Sequence, residues 1–253
     1  MEDFVMDFLN KAKQMDAGAL FLKNLKKGKR EEQKKCIDFL YDVEAPQKGC
    51  FSKGKAHVGL YSGNELMTLD EYRAHVSRCI QNMDFKKKAL ERIGLDESQV
   101  SEIPPINASY FELKGDGVVT KSMETDVAGV WKTVSNKYTV VWIFFSDTQI
   151  YTYQYTFDSI SDNSYEFTRD FFYGDVTCIR TDHETVEKII ERKSFSGCFK
   201  KSEESKFFHH NLEYSSFYIT VPDDSYSFTC AMTDTLEQSI QAAKAMIREK
   251  KNA

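Results

Sequence analysis

Hydrophobic spacing divides the chain into a helical stretch, a β-rich stretch and a closing helix. Phe4, Val5, Phe8, Leu9, Ala12 and Met15 recur at helical intervals and predict an opening amphipathic helix. A short helix follows over residues 20–25 and stops near Gly28; another runs through Cys36, Phe39 and Leu40 before Pro46. Thr68 and Glu71 have the spacing of a capping box, which satisfies two free backbone N–H groups, so a helix begins there with Tyr72, Val76, Cys79, Ile80 and Met83 as its buried stripe. Residues 85–93 continue the helical period until Gly94, a residue suited to a left-handed C-cap. Residues 47–67 hold four glycines without a clean period and read as loop with a short hairpin.

From residue 107 the period becomes two. Residues 138–145 and 149–157 form two apolar or aromatic runs joined at Ser146-Asp147, the pattern of a hairpin. In the second run Tyr151, Tyr153, Tyr155 and Phe157 point to one face, and Thr152, Gln154 and Thr156 to the other. Further strands are expected at residues 110–113, 129–133, 164–172, 175–181, 207–221 and 226–230. Leu236, Ile240, Ala243 and Ile247 then mark an amphipathic helix opened by Asp234 and Glu237 and closed by Arg248, Lys250 and Lys251, charges that suit its dipole. The expected fold is α+β: a helical region, 1–106, followed by an antiparallel β-barrel or sandwich of about seven strands, 107–253, capped by the C-terminal helix. Pro104-Pro105 marks the boundary, since neither proline continues a helix or enters a central strand.

Charge follows the same division. Of a net −5 over 253 residues, the first region contributes +1 and the second −6; 25 of the 34 aromatic residues lie in the second. An acidic chain is a poor general binder of nucleic acid. The longest apolar run, residues 140–145, is too short to cross a bilayer. Acids at the start, where a signal peptide carries lysines, lead to the expectation of a cytoplasmic protein. Six cysteines, Cys36, Cys50, Cys79, Cys178, Cys198 and Cys230, stand at least 14 residues apart, without the paired spacing of zinc ribbons or redox sites. Reduced thiols, no metal and no cofactor are the expectation.

The strand count with a terminal helix resembles the pleckstrin-homology-like superfold. Residues 140–150, 168–176 and 225–228, with 88–96 and 103–106 before them, resemble a family of uncharacterised bacterial proteins. That resemblance covers roughly residues 84–251 and implies a fold without an established activity. Some proteins of similar organisation carry an N-terminal zinc ribbon; without paired cysteines, no metal is implied here.

Three functional readings follow. The first is a non-enzymatic intracellular interaction or scaffolding module that binds a protein or peptide through Tyr151, Tyr153 and Tyr155, since tyrosine is enriched in interfaces. The same row also suits simple packing of a sheet face. The second is a peripheral binder of anionic lipid headgroups through Lys23, Lys26, Lys27, Lys29 and Arg30, although a solvated surface fits these residues as well. The third is a hydrolase using His183 or His209, which requires a cleft shared with a carboxylate or thiol. Cys198, beside Lys200 and Lys201, is either a reactive thiol or part of an ordinary loop.

Overall fold

The computed structural model describes residues 18, 20–41, 67–100, 103–125, 130–195, 203–230 and 233–252. The expected opening helix, most of the 47–67 loop, and Cys50, His57 and Cys198 lie outside the described residues, as do the side chains of His209, His210 and Cys230.

Among the described residues, 20–26 are helical and stop before Gly28, as expected, and three further helices precede the sheets: α1 (Glu31–Leu40), α2 (Leu69–Ile80) and α3 (Phe85–Ile93). Their ends form as local chemistry dictates. The Glu71 N–H donates to Thr68 Oγ1 (3.2 Å) and the Thr68 N–H donates to Glu71 Oε2 (2.7 Å), closing the expected capping box on α2. Asp84 Oδ1 caps α3 by accepting from the Lys87 N–H (3.0 Å). Gly94 ends that helix at φ +73°, a conformation that a Cβ would strain.

Nine strands follow among the described residues: β1 (Ile106–Phe111), β2 (Thr120–Glu124), β3 (Trp131–Ser135), β4 (Lys137–Phe145), β5 (Gln149–Asp158), β6 (Asn163–Phe172), β7 (Cys178–Phe195), β8 (Glu203–Val221) and β9 (Asp224–Cys230). They form three antiparallel sheets: a central sheet in the order β1-β4-β5-β6, a hairpin β2-β3 and an outer sheet β7-β8-β9. Of the expected barrel or sandwich of about seven strands, the closed barrel is corrected here, because the strands do not join into one and β1 and β6 remain the edges of the central sheet. β9 crosses the central sheet instead of pairing with it: Asp224 meets Arg169 of β6 (2.8 Å), Tyr226 meets Phe167 edge-on, and Phe228 lies against Tyr110 of β1, on the far edge. β7 is also longer than the expected 175–181. It pairs with β8 through Phe195, whereas β9 joins only the Ser215–Val221 end of β8, so the remainder is a two-stranded ribbon.

The two middle strands of the central sheet, β4 and β5, are covered on both faces, which explains the unbroken apolar run of β4. Val141, Ile143, Phe145 and Ile150 face a core shared with Phe217, Ile219, Tyr226 and Phe228 of the outer sheet. Leu236, Ile240, Ala243 and Ile247 of α4 (Asp234–Asn252) close that core with the stripe expected from their spacing. On the other face Phe144, Tyr153, Tyr155 and Phe157 join Cys36, Ile37, Phe39, Leu40, Tyr72, Val76 and Ala89 of the helices. Residue 106 therefore separates helices from strands, while one apolar core spans both sides of it. Each fully buried large side chain in these layers contributes about 1.5–3 kcal/mol relative to exposure.

Candidate interaction surface

The tyrosine row of β5 lies inside the protein. Tyr153 and Tyr155 are buried and Tyr151 is half-buried, all in the layer beneath the helices. Phe85 of α3 packs on Tyr155 at 5.1 Å between ring centroids, and the Lys88 ammonium sits 4.9 Å from the same ring. Tyr151 donates from its hydroxyl to Gln149 Oε1 (2.6 Å). The row thus holds helix to sheet, and as the chain is folded Tyr153 and Tyr155 offer a partner no surface. Burial, followed by the nearby Glu166 charge, pushes the Tyr153 phenol well above its ordinary range. Its hydroxyl is buried without a hydrogen-bond partner.

The basic segment is divided by its own ion pairs. Lys26 pairs with Asp38 of α1, and Arg30 pairs with Asp162 in the turn before β6. Lys23 and Lys27 remain exposed and Lys29 is half-buried. Two of the five cations therefore face acids of the same chain, which weakens the segment as a continuous anion-attracting surface.

The described histidines do not share a site. His75 lies on α2, where its Nε2 is 3.7 Å from Cys79 Sγ; burial, then the Arg78 charge, lowers its pKa. His183 stands opposite Ser215 in the β7–β8 ladder, with Nδ1 2.7 Å from Ser215 Oγ. Ser215 is buried, so the pair satisfies two polar groups within the sheet and presents no exposed nucleophile. No group of three or more histidine, cysteine or acidic residues placed to hold a metal ion occurs among the described residues. No helix among them is long and apolar enough to cross a membrane.

The cysteines differ sharply in access. Burial, with Cys79 and Glu32 nearby, raises the Cys36 thiol to about 12, whereas Cys178 begins β7 on the surface. Alkylation of the native protein at neutral pH is expected to modify Cys178 and spare Cys36 until the chain is unfolded. Site-resolved mass spectrometry checks this, and early modification of Cys36 contradicts it.

Three of the four exposed aromatics among the described residues lie one strand away, on β6; the fourth is Phe21. Tyr165 is 56% exposed, Phe167 40% and Phe172 57%. They stand on a ten-residue strand paired only with β5, at the edge of the central sheet. No protein-family model, curated protein or solved structure matches this chain. The surface is therefore interpreted from its own chemistry. An edge strand carries unpaired backbone donors and acceptors along one side, and large apolar side chains beside them make it a template for another strand.

Sequence spacing places residues 164–172 on a strand without showing that the strand is an edge. One signal was present. Among the four strands of the central sheet, only β6 interleaves its aromatics with charges in mid-strand, namely Glu166, Arg169 and Asp170. Such charges are tolerated where at least one side meets water. Glu166 meets Lys88 and Arg92 of α3 on one face of β6, while Arg169 reaches Asp224 and the Ser225 carbonyl (2.8 Å each) on the other. β6 is therefore tied to neighbouring elements on both faces, while only β5 pairs with it along its length.

Proposed function

We propose that the protein is a non-enzymatic interaction or scaffolding module that engages a protein partner along β6. The observation that carries this reading is the open ten-residue edge with Tyr165, Phe167 and Phe172 exposed beside it. Strand addition supplies main-chain hydrogen bonds, and the exposed rings supply apolar contact at small entropic cost. Antiparallel sheets with a terminal helix packed over one core also support a pleckstrin-homology-like ancestry for the region after residue 106. Its three separate sheets are the point of departure from a single barrel.

The test is a paired substitution, Tyr165→Asp with Phe172→Asp, at two positions more than half exposed. Affinity capture from cell extract is expected to lose its co-purifying proteins with this variant, while the thermal midpoint stays within a few degrees of wild type. Capture of the same proteins by both chains overturns the reading.

A further inference from the structure

Given β6 as the contact surface, we infer that its occupant is the β6 strand of a second copy of this chain, paired antiparallel about a two-fold axis. The dimer would then contain one continuous eight-stranded sheet in the order β1-β4-β5-β6-β6-β5-β4-β1.

The argument rests on which registers the residues of β6 permit. A two-fold axis normal to the sheet keeps each residue on its own face, so only residues an even number apart in sequence can stand opposite one another. Centring the pair on Glu166 sets two carboxylates face to face, and centring it on Arg169 does the same with two guanidinium groups. Centring on Thr168 places Glu166 opposite Asp170. Directly opposed like charges destabilise a ladder. Centring on Tyr165 confines the pairing to residues 163–167, because the strand begins at Asn163.

Centring on Phe167 meets none of these objections. Phe167 stands opposite its own copy, Tyr165 opposite Arg169, Glu166 opposite Thr168 and Ser164 opposite Asp170, in a ladder extending over residues 163–171. The face of β6 turned toward β9 then carries an aromatic pair flanked by two Tyr–Arg contacts, each a cation over a ring. The geometry of one copy already favours this row. Phe167 is braced edge-on by Tyr226 at 6.2 Å, and the Arg169 guanidinium lies 5.8 Å from the Phe167 ring centroid. Two of the exposed aromatics, Tyr165 and Phe167, become mutually covered. β6 has no proline, no lysine and no bulge against β5, and its mid-strand charges Glu166, Arg169 and Asp170, which guard an edge when like charges meet, stand opposite Thr168, Tyr165 and Ser164 in this register.

Sedimentation velocity of the full chain across a concentration series tests the inference. Wild type is expected to show a monomer–dimer equilibrium. Phe167→Lys, which sets two ammonium groups face to face, is expected to raise the dissociation constant at least tenfold. Tyr165→Lys opposes Arg169 with a second cation at an exposed position, and gives the same readout should Phe167→Lys fail to fold. Register is read separately: under mild oxidation Phe167→Cys is expected to yield a covalent dimer well above the wild-type background, and Thr168→Cys is not. A monomeric wild type overturns the self-pairing even when the capture experiment above succeeds. A dimer insensitive to both lysine variants, or one that Thr168→Cys cross-links as readily as Phe167→Cys, overturns it as well.

Discussion

Tyr72→Ala is expected to destabilise the protein by about 3–5 kcal/mol, the range for deleting a fully buried aromatic side chain. Tyr72 sits on α2 with no exposed surface, stacks on Phe39 of α1 at 4.8 Å and donates from its hydroxyl to the Ser135 carbonyl at the end of β3 (2.7 Å). The Ser159 hydroxyl, 2.7 Å away beyond β5, completes the arrangement by donating back. One side chain thus connects two helices to two separate sheets. Tyr72→Phe keeps the ring and is expected to cost about 1–3 kcal/mol, because two buried polar groups are left without their partner. Tyr153→Phe is the contrasting control. Its buried hydroxyl has no partner to lose, so the change is expected to lie within about 0.5 kcal/mol of wild type, or to stabilise. Urea denaturation of the three variants checks the order, and equal losses in the two phenylalanine variants contradict it.

Glu166→Gln is expected to lower stability at neutral pH by about 1–2 kcal/mol, reduced from the value of a buried charged pair by the solvent reaching Arg92. Burial opposes the Glu166 charge, but Lys88 and Arg92 outweigh it and hold the carboxyl below the usual glutamate range. The sign of the pH dependence follows. A carboxyl with a lowered folded-state pKa contributes its full stability above the unfolded value of about 4.3, and that contribution disappears as pH falls through the folded value. The gap between wild type and Glu166→Gln is therefore expected to be constant from pH 7 down to about 5 and to close in stronger acid. A gap that persists at pH 2 excludes ionic fastening of α3 to β6 as its cause.

Local signals carried the helices and most strands. Thr68 with Glu71, and Gly94 after Ile93, mark ends set by backbone hydrogen bonds a few residues apart, so neighbours in sequence suffice to specify them. The alternation of β5 was legible for the same reason: Tyr153 and Tyr155 share one layer and Ile150 lies in the other. What each face meets was not legible. The tyrosines pack under helices that precede them by more than sixty residues in the case of Tyr72 and Phe39. β7 was hidden for a related reason. Val186, Ile189 and Ile190 are spaced as well for a helix as for a strand, and the ladder with β8 decides between them. The candidate surface depended on the strand order of the central sheet. No local pattern states which strand has a neighbour on only one side.

Burial of β4 on both faces removes the usual penalty against misalignment. In a sheet with one wet face, sliding a strand by one residue exposes its apolar side chains. Here such a slide would move Val141, Ile143 and Phe145 from one oily layer into another, and apolarity alone would scarcely register the error. Alignment falls instead to a few polar atoms. Thr139 Oγ1 lies 2.7 Å from both Glu112 Oε1 and Thr156 Oγ1, and Ser146 folds its turn onto the Gln149 carbonyl. Each of these contacts exists in a single register of β4. They add little to the total burial, yet they proofread the strand, which makes the least hydrophobic atoms of the central sheet the ones that determine its correct assembly.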